Sequence, residues 1–334
     1  MEEKSVFITG ITGFVGSHLA EYVLAVAPGS RILGLARWRS PKDNIIPILT
    51  RIQLCYGDLL DMPSLRAILS KHHPDIIFHL AAQSYVDFSF AAPIATLEAN
   101  VIGTGNLLDA VRQLKAETGY DPVIHICSSS EVYGQVQEHE IPIRENNPFR
   151  PASPYAVSKV GEDMLALQYW LSWKIRTIRT RMFTHTGPRR GEVFVVSNFA
   201  KQVAAIEAGL AEPVIRVGNL DSVRTFLDVK DAVKAYWLLV NKCSPGEVYN
   251  IGGKETMTIG DMLNMLLRLS SAKNIEIKVD PARLRPSDVT LQIPCIDKFV
   301  KATGWQPQIE FEQTLEDLLD YWRAFYRLQK SIPA

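Results

Sequence analysis

Val6-Phe7-Ile8-Thr9 is an apolar, strand-like run that leads directly into Gly10-Ile11-Thr12-Gly13-Phe14-Val15-Gly16. The glycines recur as G-x-x-G-x-x-G at the point where an amphipathic helical pattern begins. Glycine at these positions permits a tight turn, a close approach of backbone N–H groups to a pyrophosphate, and close packing of the helix on the strand. The pattern therefore predicts a dinucleotide-binding turn after the first strand.

The first half of the chain alternates short apolar runs with amphipathic stretches. Further apolar runs lie at residues 31–36, 52–57, 75–81 and 123–130, and segments with helical periodicity separate them. Parallel strands need crossover connections of this kind. The alternation therefore predicts an α/β fold with a doubly wound parallel sheet of the Rossmann type and helices on both faces.

The regular alternation fades after about residue 183. We expect residues 1–182 to form the dinucleotide-binding domain and residues 183–334 to form mainly a smaller C-terminal α/β lobe that binds the substrate. A strand-like and a helical segment within about residues 223–252 are predicted to return to the first domain.

The composition is that of an ordinary globular protein. Of the 334 residues, 47% are apolar and 22% are charged, and 36 Lys+Arg balance 36 Asp+Glu. The zero net charge argues against a protein whose main task is to bind nucleic acid, because neutralising phosphates requires an excess of positive charge. Small molecules or proteins are the expected partners.

The cysteines and the apolar segments exclude several other classes of protein. The four cysteines are scattered, without the spacing of a zinc site or of a disulfide framework. Met1-Glu2-Glu3-Lys4 lacks the basic start of a signal peptide, and no apolar run approaches the length of a membrane span. We therefore expect reduced thiols, no bound metal, no membrane association and a cytoplasmic location.

The end of the second strand indicates which dinucleotide is bound. The run at 31–36 is followed by Arg37, Trp38 and Arg39, where an NAD-selective domain usually carries an acidic residue that binds the ribose hydroxyls. The missing carboxylate and the two arginines favour a 2′-phosphate, so NADP is the predicted cofactor. The predicted cofactor contacts are Gly10, Thr12, Gly13, Phe14, Val15, Gly16, Arg37, Arg39, Asp58, Leu59, Leu80, Ala81, Ala82, Tyr155 and Lys159.

Tyr155 and Lys159 are four residues apart on one face of a predicted helix that begins near Ser153-Pro154. A nearby ammonium favours the phenolate, so Lys159 should lower the pKa of Tyr155 toward neutrality. A phenol in this state can exchange a proton with an alcohol or carbonyl while hydride moves to or from nicotinamide.

Ser129 and Glu131 follow the strand at 123–130. The serine hydroxyl could hydrogen-bond the reacting oxygen beside Tyr155. Glu131 adds a carboxylate that simple alcohol oxidation does not require. It fits either a second proton-transfer step or a turn residue paired with a surface cation.

These motifs resemble the extended short-chain dehydrogenase/reductase family that acts on nucleotide sugars, over almost the whole chain. Within that family the chain looks most like GDP-mannose 4,6-dehydratases and GDP-4-keto-6-deoxymannose reductases. The segments that carry the resemblance are GITGFVGSHLAEYVL, HLAAQSYVDFS, SSSEVYGQVQE, PFRPASPYAVSK, GPRRGEVFV, VGNLDSVRTFLDVKDAV and RLRPSDV.

The resemblance implies a role for each catalytic candidate. Tyr155 would be the acid/base, Lys159 its electrostatic partner and a ribose ligand, Ser129 a ligand of the sugar O4, and Glu131 the dehydratase base. In the implied cycle, hydride leaves C4 for NADP⁺ as Tyr155 takes the hydroxyl proton, and Glu131 then removes the acidified C5 proton. Loss of the C6 hydroxyl as water gives an enone, and the hydride returns to C6.

The resemblance also implies a set of contacts to the GDP-sugar. Guanidinium groups match phosphate oxygens, which makes the arginines of the second half candidates for the diphosphate. The implied substrate-binding residues are Ser84, Ser129, Thr184, Arg189, Arg190, Lys201, Asn219, Arg224, Arg285 and Asp288.

The chain departs from the family pattern at two places. Thr184 stands where family members usually have asparagine. A threonine side chain reaches less far than asparagine and has only one hydrogen-bond donor. The stretch after Arg37 is shorter than the dehydratase loop that helps to join subunits. A homodimer is therefore as consistent with the sequence as a homotetramer.

Three other functions remain open. The 4-ketoreductase that consumes NADPH is the main alternative, since it also tends to have glutamate at the position of Glu131. A C4 epimerase would usually have a small apolar residue there and an acidic, NAD-selecting residue at Ala36. The fold could also serve a non-catalytic NADP-binding protein. We predict the 4,6-dehydratase.

Overall fold

The computed structural model describes residues 3–284 and 289–331. Its strands are β1 (Ser5–Thr9), β2 (Arg31–Ala36), β3 (Gln53–Tyr56), β4 (Ile76–His79), β5 (Val123–Ser129), β6 (Thr177–Met182), β7 (His185–Thr186), β8 (Val214–Val217), β9 (Val223–Thr225), β10 (Leu227–Asp228), β11 (Val248–Ile251), β12 (Thr256–Thr258), β13 (Glu276–Val279) and β14 (Leu291–Gln292). Its α-helices are α1 (Phe14–Val26), α2 (Met62–His72), α3 (Val86–Ala91), α4 (Pro93–Leu97), α5 (Gly103–Thr118), α6 (Pro154–Trp173), α7 (Val195–Glu207), α8 (Val229–Lys242), α9 (Ile259–Arg268), α10 (Asp297–Thr303) and α11 (Phe311–Ser331).

A seven-stranded sheet in the order β3-β2-β1-β4-β5-β6-β11 forms the centre of the fold. Every neighbouring pair in it is parallel. The strand order reverses between β1 and β4, and an open sheet of this kind binds ligands at the carboxyl ends of the strands beside such a reversal. The doubly wound parallel sheet predicted from the alternation is confirmed.

Successive residues of β1 enter two different cores, as the two-residue period of a strand requires. Val6 and Ile8 pack on one face of the sheet with the apolar side chains of α1 and α8. Phe7 packs on the other face with those of α5. A third apolar cluster lies within the C-terminal lobe, between α7, α9 and α11.

The segment at 223–252 reaches both parts of the molecule. Val223–Thr225 pairs with strands of the lobe, while α8 packs on α1 and Val248–Ile251 extends the central sheet beyond β6. Asp228 begins α8 by accepting a hydrogen bond from the Lys230 N–H, 2.6 Å away. It also accepts one from the Thr314 hydroxyl of α11, at 2.9 Å. The same chain segment thereby joins the sheet to the lobe.

Two histidines are buried inside the sheet without a charged partner. His79 lies 3.0 Å from Thr9 Oγ1 and 2.9 Å from Thr104 Oγ1, and His125 lies 2.8 Å from Thr180 Oγ1. Burial lowers the pKa of each imidazole to about 3, and the charge of Lys159 acts in the same direction. Both rings are therefore neutral in the folded protein at pH 7. No helix in residues 3–284 or 289–331 has the length and apolar character of a membrane span.

These histidines predict that acid destabilises the fold. Each histidine has a lower pKa in the folded protein than in the unfolded chain, where it is about 6.5. The contribution of the neutral rings to the free energy of unfolding is therefore complete above about pH 6.5 and is lost as the pH falls below that value. Between pH 7 and pH 5.5, each should remove about 1 kcal/mol from the free energy of unfolding. Urea denaturation of His125→Gln should show a smaller loss over this range, by about 1 kcal/mol. The exposed His139→Gln is the control, and an equal acid loss in both variants contradicts the argument.

Candidate functional site

A cleft of about 690 Å³ lies between the carboxyl ends of the central strands and the C-terminal lobe. Strand ends of the sheet form one wall, and α7 with the loops beside β8 and β9 forms the other. The predicted residues that line the cleft are Ser84, Ser129, Glu131, Tyr155, Thr184, Arg190, Asn219 and Arg224. The fold therefore brings candidates from both halves of the sequence to one cavity.

The glycine turn forms a tight junction between β1 and α1. Gly10 has φ 73°, a conformation that favours glycine, and its carbonyl accepts a hydrogen bond from the Gly13 N–H at 3.0 Å. A Cβ on Gly16 would lie 2.2 Å from the Gly10 carbonyl oxygen, so any side chain would force the helix away from the turn. No side chain caps the start of α1 at Gly13. Its first N–H groups are therefore available to an anion such as a pyrophosphate.

The loop after β4 is fixed beside this turn by hydrogen bonds. The Thr9 hydroxyl accepts from the N–H groups of Leu80 and Ala81, each at 3.1 Å. Asn100, on the π-helical turn Glu98–Ile102, accepts from the Gln83 N–H at 2.7 Å. It also donates to the Ser158 hydroxyl of α6 at 2.8 Å. These contacts position Ala82 and Ser84 between the dinucleotide turn and α6.

The remaining cofactor candidates lie at the ends of β2 and β3. Arg37 and Arg39 are exposed after β2, and the Arg39 guanidinium stacks 4.4 Å from the ring centroid of Trp38. Asp58 accepts a hydrogen bond from the Leu60 N–H at 3.0 Å, which shapes the turn after β3. A glycine turn with free N–H groups and two exposed cations nearby fits a dinucleotide that carries an additional phosphate.

Tyr155 and Lys159 lie in the first two turns of α6. The Ser153 hydroxyl caps the helix by accepting from the Ala156 N–H at 3.0 Å, and Pro154 occupies its first position. Both residues are buried, with Tyr155 8% and Lys159 5% exposed. Lys159 Nζ lies 5.9 Å from the ring centroid of Tyr155 and donates to the Cys127 carbonyl at 3.0 Å.

The protonation of Tyr155 differs from what the sequence predicts. Burial raises the pKa of the phenol above its ordinary value, and this effect exceeds the opposing effects of the Lys159 charge and a hydrogen bond with Ser129. The sequence argument considered the lysine alone and expected a pKa near neutrality, because the depth of the ring is not visible from spacing. In the protein as described, Tyr155 is therefore a proton donor at pH 7.

Ser129 and Glu131 lie where β5 ends in the 3₁₀ turn Ser130–Tyr133. The Ser129 hydroxyl accepts a hydrogen bond from the Glu131 N–H at 3.2 Å and so caps this turn. Both residues line the cleft together with Tyr155. A hydroxyl, a phenol and a carboxylate thus meet in one cavity, which is what two successive proton transfers on one substrate require.

Arg190 links the dinucleotide turn to the lobe. Its guanidinium stacks 3.5 Å from the ring centroid of Phe194 and 5.1 Å from that of Phe14. Burial lowers the pKa of Arg190 to about 10, which still leaves it charged at neutral pH. A partly buried cation that lines the cleft at this junction suits a phosphate group.

Two predicted substrate ligands point elsewhere. Arg189 donates to Glu21 Oε1 at 2.7 Å and to the Ser17 hydroxyl at 3.3 Å, so it ties the loop to α1 and does not line the cleft. Lys201 pairs with Glu192 and lies 5.2 Å from the ring centroid of Trp322. Each of the two side chains is paired with a carboxylate in the structure, and their role in binding substrate stays a prediction. Arg285 and Asp288 lie outside the described residues.

The lobe also supplies residues that the sequence argument missed. Asn219 and Arg224 line the cleft as expected, and Arg224 donates to the Val289 carbonyl at 2.6 Å. Arg283 lines it too and donates to Asn198 Oδ1 at 2.8 Å. Arg283 and Arg285 both belong to the motif RLRPSDV, but only Arg285 was predicted to bind substrate. In residues 3–284 and 289–331, no group of three or more metal-ligating side chains occurs.

Comparison with known proteins finds close relatives over nearly the whole chain. The profile of the GDP-mannose 4,6 dehydratase family matches residues 7–318. GDP-6-deoxy-D-mannose reductase of Pseudomonas aeruginosa is 35% identical over 97% of this chain and 99% of its own. GDP-mannose 4,6-dehydratase of Vibrio cholerae serotype O1 is 31% identical over 96% of this chain and 93% of its own. A solved structure of RMD from Pseudomonas aeruginosa complexed with NADPH superposes with a TM-score of 0.83 at 33% identity, covering 96% of this chain and 99% of that one.

The glycine turn gives a direct prediction about packing. Gly16→Ala places a methyl group 2.2 Å from a backbone oxygen that cannot rotate away. The free energy of unfolding should therefore fall by about 2 kcal/mol. Gly105→Ala is the matched control, because its Cβ would meet nothing closer than Leu165, 4.0 Å away, and alanine is the better helix former. Urea denaturation measures both, and equal stability of the two variants would refute the role given to Gly16.

Proposed function

Because the chain belongs to the GDP-mannose 4,6-dehydratase family, we propose that it is an NADP-dependent 4,6-dehydratase that converts GDP-mannose to GDP-4-keto-6-deoxymannose. The observation that carries this proposal is the meeting of Ser129, Glu131 and Tyr155 in one cleft. Oxidation at C4 needs only the tyrosine and the serine. Elimination across C5 and C6 needs an additional base, which Glu131 provides.

The residues around the glycine turn would bind NADP. The N–H groups at the start of α1 would bind the pyrophosphate, and Arg37 and Arg39 would neutralise the 2′-phosphate. When bound, the nicotinamide supplies reversible hydride transfer, accepting from C4 of the sugar and giving back to C6. The relative solved with NADPH supports this choice of cofactor.

Tyr155 and Ser129 would act on the oxygen at C4. The serine hydroxyl hydrogen-bonds this oxygen and the phenol exchanges a proton with it, so both groups must reach the same atom. Lys159 Nζ lies 5.9 Å from the centroid of the phenol ring and would stabilise the phenolate that accepts the proton of the C4 hydroxyl. Once C4 is a ketone, the proton on C5 becomes acidic.

Glu131 would then remove the C5 proton and pass it to the C6 hydroxyl, which leaves as water. The proton that Tyr155 took from the C4 hydroxyl would return to C5 when the hydride reaches C6. The Ser129 hydroxyl caps the 3₁₀ turn that carries Glu131 and so fixes its position. One short segment therefore positions both the base Glu131 and the hydrogen-bond donor Ser129. Arg190, Arg224 and Arg283 hold the GDP end of the substrate in the other half of the cleft. The reaction then requires no net reductant.

The dehydratase predicts a specific result with purified protein. Incubation with GDP-mannose and a catalytic trace of NADP⁺ should give a product lighter by one water with no net change in NADPH absorbance. Glu131→Gln should lower kcat by about 10²- to 10⁴-fold, because it removes general base catalysis. The exposed Glu138→Gln is the matched control and should retain full activity. Full activity of Glu131→Gln would remove Glu131 from the mechanism.

A specific observation favours a second candidate, the NADPH-dependent 4-ketoreductase. A reductase needs a phenol that donates a proton to the C4 oxygen, and burial keeps Tyr155 in that form. The 35% identical relative is a reductase. If GDP-mannose is unchanged while GDP-4-keto-6-deoxymannose is reduced with one NADPH consumed for each product, the reductase is the correct function.

The expected association of the chain with copies of itself has support from its surface. Ile94, Ile102 and Leu171 are 64%, 53% and 60% exposed, and they lie on α4, on the π-helical turn and on α6, which pack against one another. Exposed apolar side chains on helices that pack together are a feature of many interfaces between subunits, which supports the prediction. A homodimer or homotetramer built on this face, in the cytoplasm, stays our prediction.

Light scattering coupled to size-exclusion chromatography tests this interface. Wild-type protein should elute with a mass of two or four chains. Ile102→Glu should lower that mass, because it places a charge in an apolar contact. Val279→Glu is the control, since Val279 is 63% exposed on β13 of the lobe. A monomeric wild type contradicts the prediction.

A further inference from the structure

Lys159 has a carboxylate partner that no proposed step of the reaction uses. Glu162 lies one helical turn further along α6, and its Oε2 accepts a hydrogen bond from Lys159 Nζ at 2.9 Å. The Glu162 side chain is 1% exposed. Its second oxygen, Oε1, is buried and has no hydrogen-bond partner within residues 3–284 and 289–331.

The neighbouring Asp163 shows what a purely structural carboxylate in this helix looks like. Both of its oxygens are bound, one by Arg179 Nη1 at 2.8 Å and the other by Arg181 Nε at 2.9 Å. Glu162 has one cation, shared with the Cys127 carbonyl, and one oxygen without a partner. A buried carboxylate with so few contacts costs stability, so its presence beside Lys159 is not explained by the fold alone.

The charges around Lys159 couple Glu162 to the phenol of Tyr155. Burial alone would lower the pKa of Lys159, but the Glu162 carboxylate and the Tyr155 phenol outweigh it and keep the ammonium charged. Burial raises the pKa of Glu162 to about 7, against the effect of the Lys159 charge. An ionised Glu162 in turn raises the pKa of Tyr155, opposing the lysine.

We propose that Glu162 is a positioning residue that holds the Lys159 ammonium against the end of β5 and offsets its charge, and so weakens the pull of Lys159 on the phenolic proton of Tyr155. This inference rests on the proposed role of the Tyr155–Lys159 pair, and it applies equally to the dehydratase and to the ketoreductase. Lys159 alone would favour the phenolate, whereas an ionised Glu162 cancels most of the charge that acts on the phenol.

Other ionisable groups surround this pair, and the experiment must separate them from Glu162. They come from α6 itself, from β4, β5 and β6, and from α8. They are Tyr155, Asp163, His79, His125, Cys127, Arg179, Arg181 and Tyr236. The pKa of each histidine is lowered to about 3 by burial, whereas that of Glu162 is raised to about 7, so a charge change near neutral pH in this set is expected of Glu162.

The direct test is the titration of the phenol in the protein without substrate. Protein labelled with ¹³Cζ-tyrosine is titrated by NMR, and Tyr155→Phe identifies the Tyr155 resonance. In Glu162→Gln, which keeps the shape but removes the charge, the midpoint of Tyr155 should fall by about one pH unit. Glu162→Asp restores the charge and should return the midpoint toward the wild type. The exposed Glu138→Gln should leave it unchanged.

The wild type gives a second test that does not depend on the stability of any variant. Its Tyr155 resonance should show a small inflection near pH 7 as Glu162 ionises, before the phenol itself titrates. This inflection should be absent from Glu162→Gln. The proposal is overturned if the wild-type Tyr155 resonance lacks this inflection. It is also overturned if a folded Glu162→Gln variant has the same Tyr155 midpoint as the wild type.

The pH profile of kcat gives the corresponding kinetic result. For the dehydratase the rising limb, and for the reductase the falling limb, should move by about one unit to lower pH in Glu162→Gln. If the protein is not a dehydratase, the other limb of the pH profile reports on Tyr155, but the expected NMR titration stays the same. The two hypotheses can therefore fail independently.

Discussion

The ion cluster around Asp163 is the interaction on which the geometry of the site depends. Asp163 belongs to α6, while Arg179 and Arg181 belong to β6, so the cluster fixes the helix to the sheet. Arg181 also donates to the Tyr133 hydroxyl at 2.9 Å and to the Glu145 carbonyl at 2.7 Å. The helix that carries Tyr155 and the turn that carries Glu131 are thus held by the same guanidinium. Losing either partner would leave a buried charge uncompensated, which is far more costly than losing a surface pair.

Much of the fold could be predicted because its determinants are local in the sequence. The two-residue alternation of Val6, Phe7 and Ile8 and the spacing of Gly10 and Gly16 depend only on the geometry of strands, turns and helices. The capping pair Ser153-Pro154 likewise locates the start of α6. Each of these signals concerns residues that meet through the backbone, so no knowledge of tertiary packing was needed.

The candidate site was predicted less completely, because its properties arise from packing between distant segments. Arg189 and Arg190 are adjacent in the chain, yet one binds α1 and the other stacks on Phe194 in the cleft. The pKa of Tyr155 is set mainly by burial, which the Tyr-Lys spacing does not reveal. The Lys159–Glu162 pair is visible as an i, i+3 spacing, but such pairs are ordinary on exposed helices. It gains meaning only because both side chains are buried.

The distribution of charge explains how one cleft can hold a highly anionic substrate and still keep its acid neutral. Arg190, Arg224 and Arg283 lie on the lobe side, where they can compensate phosphates. At the sheet side, Glu162 lies 2.9 Å from the ammonium of Lys159 and opposes its effect on the phenol of Tyr155. Without Glu162 the lysine charge would lower the pKa of the Tyr155 phenol further, although burial remains the largest effect on that pKa. The arginines that can bind substrate phosphates are thus separate from the Lys159–Glu162 pair that acts on the pKa of Tyr155.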